Sequence, residues 1–138
     1  MGSRRKSRIV ALQVLYDLEC TEHKAEETLA RLATEKALPQ EMLNFSEHLI
    51  QGVLRSKPRL DDHIEHFAPA FPVGQMSIID KTILRLAIFE ILFNNKTPFK
   101  AVINEAVEIA KIFGGDSSPR LINGVLGSMI NERNKRKS

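Results

Sequence analysis

One cysteine, one tyrosine and no tryptophan occur among the 138 residues. The lone Cys20 excludes an intramolecular disulfide and any zinc site built from several thiolates. No apolar run approaches the ~20 residues that a bilayer span needs. The basic start resembles that of a signal peptide, but Gln13, Asp17 and Glu19 interrupt what would be its apolar region. The expectation is a cytoplasmic protein without a membrane partner. Neither a P-loop nor a GxGxxG fingerprint occurs, and no serine or histidine lies in a motif that forces a catalytic constellation. The chain therefore reads as no enzyme, with no cofactor and no metal.

What is present is an uneven charge. The net formal charge is +3, but residues 1–8 carry Arg4, Arg5, Lys6 and Arg8 with no acid among them. Residues 132–138 add Arg133, Lys135, Arg136 and Lys137 against Glu132, so the two ends together sum to +7 and the middle to −4. Basic ends on an acidic body point to nucleic acid or another acidic surface, although such tails also serve simply as solubilising ends.

The periodicity is helical throughout, and no segment alternates as a strand does. Ile9, Leu12, Leu15 and Tyr16 form one stripe, widened by Val10, Val14 and Leu18. A second helix is predicted over 25–36, a third over about 40–55, and a short fourth entered at Pro58. The segment APAFPVGQM joins two helical groups. Ser77–Phe93 is apolar nearly all round, as a central helix is. Next comes a helix with Ile103, Val107, Ala110 and Phe113 inward and Gly114 just past its end. A last helix starts at Ser118-Pro119 and runs into the basic tail; its Gly124 and Gly127 suggest close approach to a neighbour. The chain thus reads as all-α, with about seven helices in one compact unit (1–138).

Three clusters have chemical potential, each with a plainer alternative. DDHIEH (61–66) places Asp62, His63 and His66 on helical spacings that suit a transition metal, or simply a solvated face. Asp80, Lys81 and Arg85 lie within about a turn of one another on the apolar helix, as an internal ion network or a docking patch. FGGDSSPR (113–120) delivers a helix N-terminus and then Arg120, as an anion site or as a turn and cap.

Taken together, RRKSRIVALQVLYDLE, IIDKTILRLAIFEILF, KAVINEAVEIAKIFGG and RLINGVLG resemble the NusB family of bacterial transcription antitermination factors, over essentially the whole chain and in order. AVINEAVEIAKIFG joined to INGVL is the most specific part; residues 21–57 match by helix pattern more than by motif. The resemblance implies a fold of two packed helical subdomains, here about 1–57 and 58–138. It implies an RNA-binding regulator that pairs with the ribosomal protein NusE and binds boxA in nascent ribosomal RNA leaders. With other Nus factors and RNA polymerase, it would support antitermination of ribosomal RNA operons. It assigns RNA contact to Arg4, Arg5, Lys6 and Arg8 and to Asp116, Ser117 and Arg120, and the NusE surface to Tyr16 and Asp80. Leu121 stands where the family often has Phe, and the tryptophan that many relatives carry before the central helix is missing. The competing readings are a helical protein-interaction module, or a domain related to that of ribosomal RNA cytosine methyltransferases without boxA specificity. A small enzyme using the histidine pair is a further alternative.

Overall fold

A computed structural model describes residues 3–93 and 96–137. The described residues form six α-helices, α1 (Ser3–Cys20), α2 (Ala25–Glu35), α3 (Gln40–Phe67), α4 (Ile78–Phe93), α5 (Phe99–Phe113) and α6 (Ser118–Lys137), with a 3₁₀ turn at Val73–Gln75. No strand occurs among them. Two compact units divide the chain, Met1–Arg55 and Ser56–Ser138. The division falls inside α3 and not at the proline-rich segment after it.

The helix total is one lower than the sequence pattern suggests, because 40–55 and 58–67 are a single helix that runs through Pro58. An interior proline removes the hydrogen bond to the carbonyl four residues back, here that of Leu54. Leu54 and Pro58 both lie on the exposed face, where water can serve the unpaired carbonyl.

In the first unit, α1 buries Val10, Ala11, Leu12, Val14 and Leu15, while Tyr16 turns outward at 40% exposure. Leu29 and Leu32 of α2 and Leu49, Ile50 and Val53 of α3 complete this core. Side chains also tie α1 to α3. The Ser7 hydroxyl donates to the Met42 carbonyl (3.0 Å), and the Ser46 hydroxyl donates to the Ser7 carbonyl (2.9 Å).

In the second unit α4 is buried from Thr82 to Ile91. The buried face of α5 is Val102, Ala106, Ile109 and Ala110, and α6 contributes Ile122, Val125, Leu126 and Met129. This corrects the stripe expected on α5. Ala110 is buried as expected, but Ile103, Val107 and Phe113 are only half-buried, because the buried face is turned by roughly 60° around the helix. Two alanines on the buried face, Ala106 and Ala110, leave room for a neighbour to come close.

Arg85 is 5% exposed within α4, and its guanidinium makes a two-pronged pair with Asp61 at the C-terminal part of α3 (2.7 and 2.9 Å). Planar fork-to-carboxylate geometry of this kind offsets the desolvation of both charges. Arg85 thus pairs across two helices, and the pattern of Asp80, Lys81 and Arg85 along α4 did not reveal Asp61 as its partner.

Candidate nucleic-acid interface

The basic start of the chain is the first turns of α1, and its cations do not all face water. Lys6 and Arg4 are exposed, Arg5 is half-buried, and Arg8 is only 7% exposed. Arg8, assigned to RNA contact with the other three by the resemblance, is the most buried of the four. A guanidinium three to four residues further along the helix lies under the same face as Arg4, and α3 covers it. Both arginines meet one ring. The Arg4 guanidinium carbon sits 4.0 Å from the centroid of Phe45, and that of Arg8 sits 5.6 Å from it. Cations over an aromatic face gain about 0.5–1 kcal/mol where exposed. A guanidinium that stacks on a ring keeps in-plane N–H groups with which it can still donate to an acceptor. A small hollow of about 150 Å³ opens here between Arg4, Ser7, Glu41, Met42 and Phe45. Phe45 recurs at helical spacing with Met42, Leu49 and Val53, so by sequence it reads as a core residue; what the spacing does not show is the arginine pair that α1 brings onto the ring.

The second candidate lies in the other unit, where α5 passes into α6. Gly114 has an extended backbone, φ −90° and ψ −179°, so it is no left-handed cap. Glycine is required for a different reason: a Cβ there would come within 2.5 Å of the Ser118 side chain and 2.9 Å of the Ala110 carbonyl. The close approach is locked by paired bonds. The Ser118 amide donates to the Gly115 carbonyl (3.1 Å), and the Gly115 amide donates to the Ser118 hydroxyl (3.0 Å). The Leu121 amide donates to the Ser117 carbonyl (3.1 Å).

These bonds limit the anion reading of the loop. At the start of α6, Ser118 spends its N–H on Gly115, Pro119 has none, and Leu121 is already bonded, which leaves at most the Arg120 amide. The side chains exposed at this end are Ser117 and Arg120, with Asp116 beside them, so an anion here would have to be met by side chains and not by the helix amides. Ser117 and Arg120 also line a larger hollow of about 480 Å³, otherwise apolar, formed with Phe67, Phe71, Leu121 and Gly124. Gly124 and Gly127 have open space where a Cβ would stand. The expected close approach of α6 to a neighbour at these glycines is thus corrected.

Of the two residues assigned to a protein partner, Tyr16 belongs to the first unit and Asp80 to the second. A hydrogen bond with Cys20 raises the Tyr16 phenol above its ordinary pKa. Asp80 lies at the start of α4, where its amide donates to the Ser77 hydroxyl (3.1 Å), an N-terminal cap. Its Oδ1 is buried without a hydrogen-bond partner among the described residues.

The histidine cluster separates. His63 Nδ1 lies 2.9 Å from the Arg59 carbonyl of its own helix, while His66 Nε2 lies 3.1 Å from the Glu132 carboxylate on α6. Among the described residues no three His, Cys, Asp or Glu side chains are grouped so as to hold a metal ion. No helix among them is long and apolar enough to cross a membrane. The basic C-terminal segment is helical to Lys137, with Arg136 paired to Glu132 (2.8 Å) and Arg133 over the Phe99 ring (4.7 Å).

The NusB family model matches residues 5–131. The chain is 51% identical over 127 residues to the transcription antitermination protein NusB of Dehalococcoides mccartyi (strain CBDB1), covering 92% of this chain and 89% of that one. It is 45% identical over 136 residues to the protein of the same name from Roseiflexus sp. (strain RS-1), covering 97% and 96%. Among solved structures, T. maritima NusB superposes with a TM-score of 0.85 at 26% identity, over 94% of this chain and 91% of that one. A chain in a crystal structure of the antitermination factors NusB and NusE with double-stranded RNA shares the fold, with a TM-score of 0.85 at 20% identity over 96% and 98%. Matched over nearly its whole length by the family model and by half-identical relatives, the chain belongs to the NusB family.

Proposed function

We propose that the chain is a non-enzymatic RNA-binding antitermination factor that pairs with NusE and recognises boxA in nascent ribosomal RNA leaders. With other Nus factors it acts on RNA polymerase in the cytoplasm and supports full-length transcription of ribosomal RNA operons. The observation that carries this reading is the 51% identity to a NusB antitermination protein over 92% of the chain. The structure of a relative bound to NusE and RNA supports both partners. The geometry supplies a physical basis. Arg4, Arg5 and Lys6 on α1 neutralise backbone phosphates and release counterions. Ser117 and Arg120 add contacts from the second unit, and Asp116 tempers the affinity by repelling phosphate. Arg8 assists by packing under Phe45, and Tyr16 and Asp80 serve the NusE surface.

The test is fluorescence anisotropy of a labelled boxA-like RNA against a scrambled control, with and without NusE, across a salt series. The expected outcome is a preference for boxA that tightens with NusE. About four to six phosphate contacts to a single strand give a log–log salt slope near −3 to −4. Equal, weak binding to both RNAs, unmoved by NusE, overturns the reading.

A further inference from the structure

Phe71 is 55% exposed, second only to Ile112 at 57% among the large apolar side chains of the described residues. It opens on a hollow. Phe67, Leu121 and Gly124 give that hollow apolar walls, and Ser117 and Arg120 are the polar side chains of its lining. No carboxylate of the described residues lines it. Its volume of about 480 Å³ lies within the range of sites that hold small planar ligands. An aromatic ring, an otherwise apolar lining and one cation with one hydroxyl within it suit a flat aromatic group that carries an anion beside it.

We propose that this hollow takes one unpaired nucleobase of the RNA, stacked on Phe71, while the adjoining phosphate meets Arg120 and the Ser117 hydroxyl. The inference rests on the RNA-binding reading above and adds a specificity residue to it. Phe71 supplies the aromatic face that Leu121, half-buried in the same wall, does not. The nearest carboxylate in sequence, Asp116, is exposed and outside the lining, so its repulsion of phosphate acts from beside the hollow and not from within it. A base held in a duplex cannot enter, so the hollow favours single strands and leaves duplex binding to the phosphate contacts alone.

Anisotropy with a single-stranded boxA-like RNA and a matched duplex tests this on the full chain. Phe71→Ala is expected to weaken single-strand binding roughly 10-fold, the scale of one lost base–aromatic stack. It leaves duplex binding and the salt slope unchanged, since no charge is removed. Phe71→Trp restores affinity, and because the chain has no tryptophan of its own, the emission of this variant reports quenching as the RNA saturates. Gly124→Leu fills the hollow from a helical position with open space around it, and it weakens single-strand binding without loss of helical content. Single-strand binding unchanged in both Phe71→Ala and Gly124→Leu overturns the proposal, as does indole emission from the Phe71→Trp variant that saturating RNA does not move. Weakened NusE pairing with unchanged RNA affinity assigns the hollow to a protein side chain and overturns it equally. Failure of the parent to bind any RNA removes the functional reading itself, and this inference with it.

Discussion

In the first unit, α1 meets α3 through a reciprocal pair of serines, Ser7 giving its hydroxyl proton to Met42 and Ser46 returning one to Ser7. In the second, the turn from α5 to α6 is made by Gly114 and Ser118 in near-contact, with space for no further atom. The first joint depends on polar bonds, each worth about 1 kcal/mol net. The second depends on a steric fit and sits on an apolar core whose buried arginine is gripped at two points by the Asp61 carboxylate. The two units therefore differ in how they fail. Loss of one polar tie weakens the first by a small step, whereas one wrong atom or one missing charge costs the second far more.

The strongest way to break that comparison is Asp61→Ala. It leaves the Arg85 guanidinium buried without the carboxylate that grips it at two points, and stability falls by about 3–5 kcal/mol. Urea unfolding followed by circular dichroism reads the shift in midpoint. A loss no larger than that from an exposed ion pair such as Arg31–Glu35 would show that Arg85 does not depend on Asp61.

Gly114→Ala comes next, at about 2 kcal/mol, because the added methyl collides with Ser118 and the Ala110 carbonyl. Ser118→Gly in the same chain removes two of those three contacts. The double variant is then expected to be more stable than the sum of the single losses, and the cycle isolates the steric term. Additive losses would mean that Ser118 does not impose the glycine.

Much of this architecture is legible in the sequence, because helical periodicity reports which residues can share a face. What it reports poorly is the angle of that face and the partner across it. On α5, Val102 and Ile103 are adjacent apolar residues, and only packing against neighbours chooses the first. Pro58 read as a helix start because its cost in an interior is large, yet an exposed position lowers that cost. Asp61 and Arg85 stand 24 positions apart with nothing local to join them. The candidate site was read from charge and from the family resemblance, which pointed to Arg4, Arg5, Lys6 and Arg120. Its aromatic components were not. Phe45 and Phe71 look like core residues until the fold shows one beneath a guanidinium and the other open to solvent.

The polar character of the first unit gives smaller, sharper effects. Arg4→Ala with Arg5→Ala is expected to flatten the RNA salt slope by about 1.4, two contacts at 0.7 each. Helical content stays intact, because both positions lie in the first turns of α1. An unchanged slope would remove this segment from the RNA site. Phe45→Leu keeps an apolar group between α1 and α3 but removes the ring under Arg4. Affinity then falls by about 0.5–1 kcal/mol, with the slope preserved because every charge remains. A slope that changed as well would mean that Phe45 acts by displacing the cations and not by orienting them.

The smallest effect concerns acid. Asp17 accepts from the buried Thr28 hydroxyl (2.8 Å) and faces His23 Nδ1 (3.0 Å), tying α1 to α2. Hydrogen bonds from Thr28, then from His23, hold its carboxyl below the ordinary value of 3.8. The unfolded chain therefore takes up this proton first as pH falls. Asp17's contribution is complete above pH 3.8 and is lost as pH drops through the lower folded value. Thermal melts of the parent and Asp17→Asn between about pH 7 and pH 3 should show a gap in Tm that is constant at neutral pH and narrows at the acid end. A gap that persists undiminished at the acid end would mean that Asp17 acts through packing and hydrogen bonding alone. The tie between α1 and α2 would then be as indifferent to protonation as the glycine joint of the second unit.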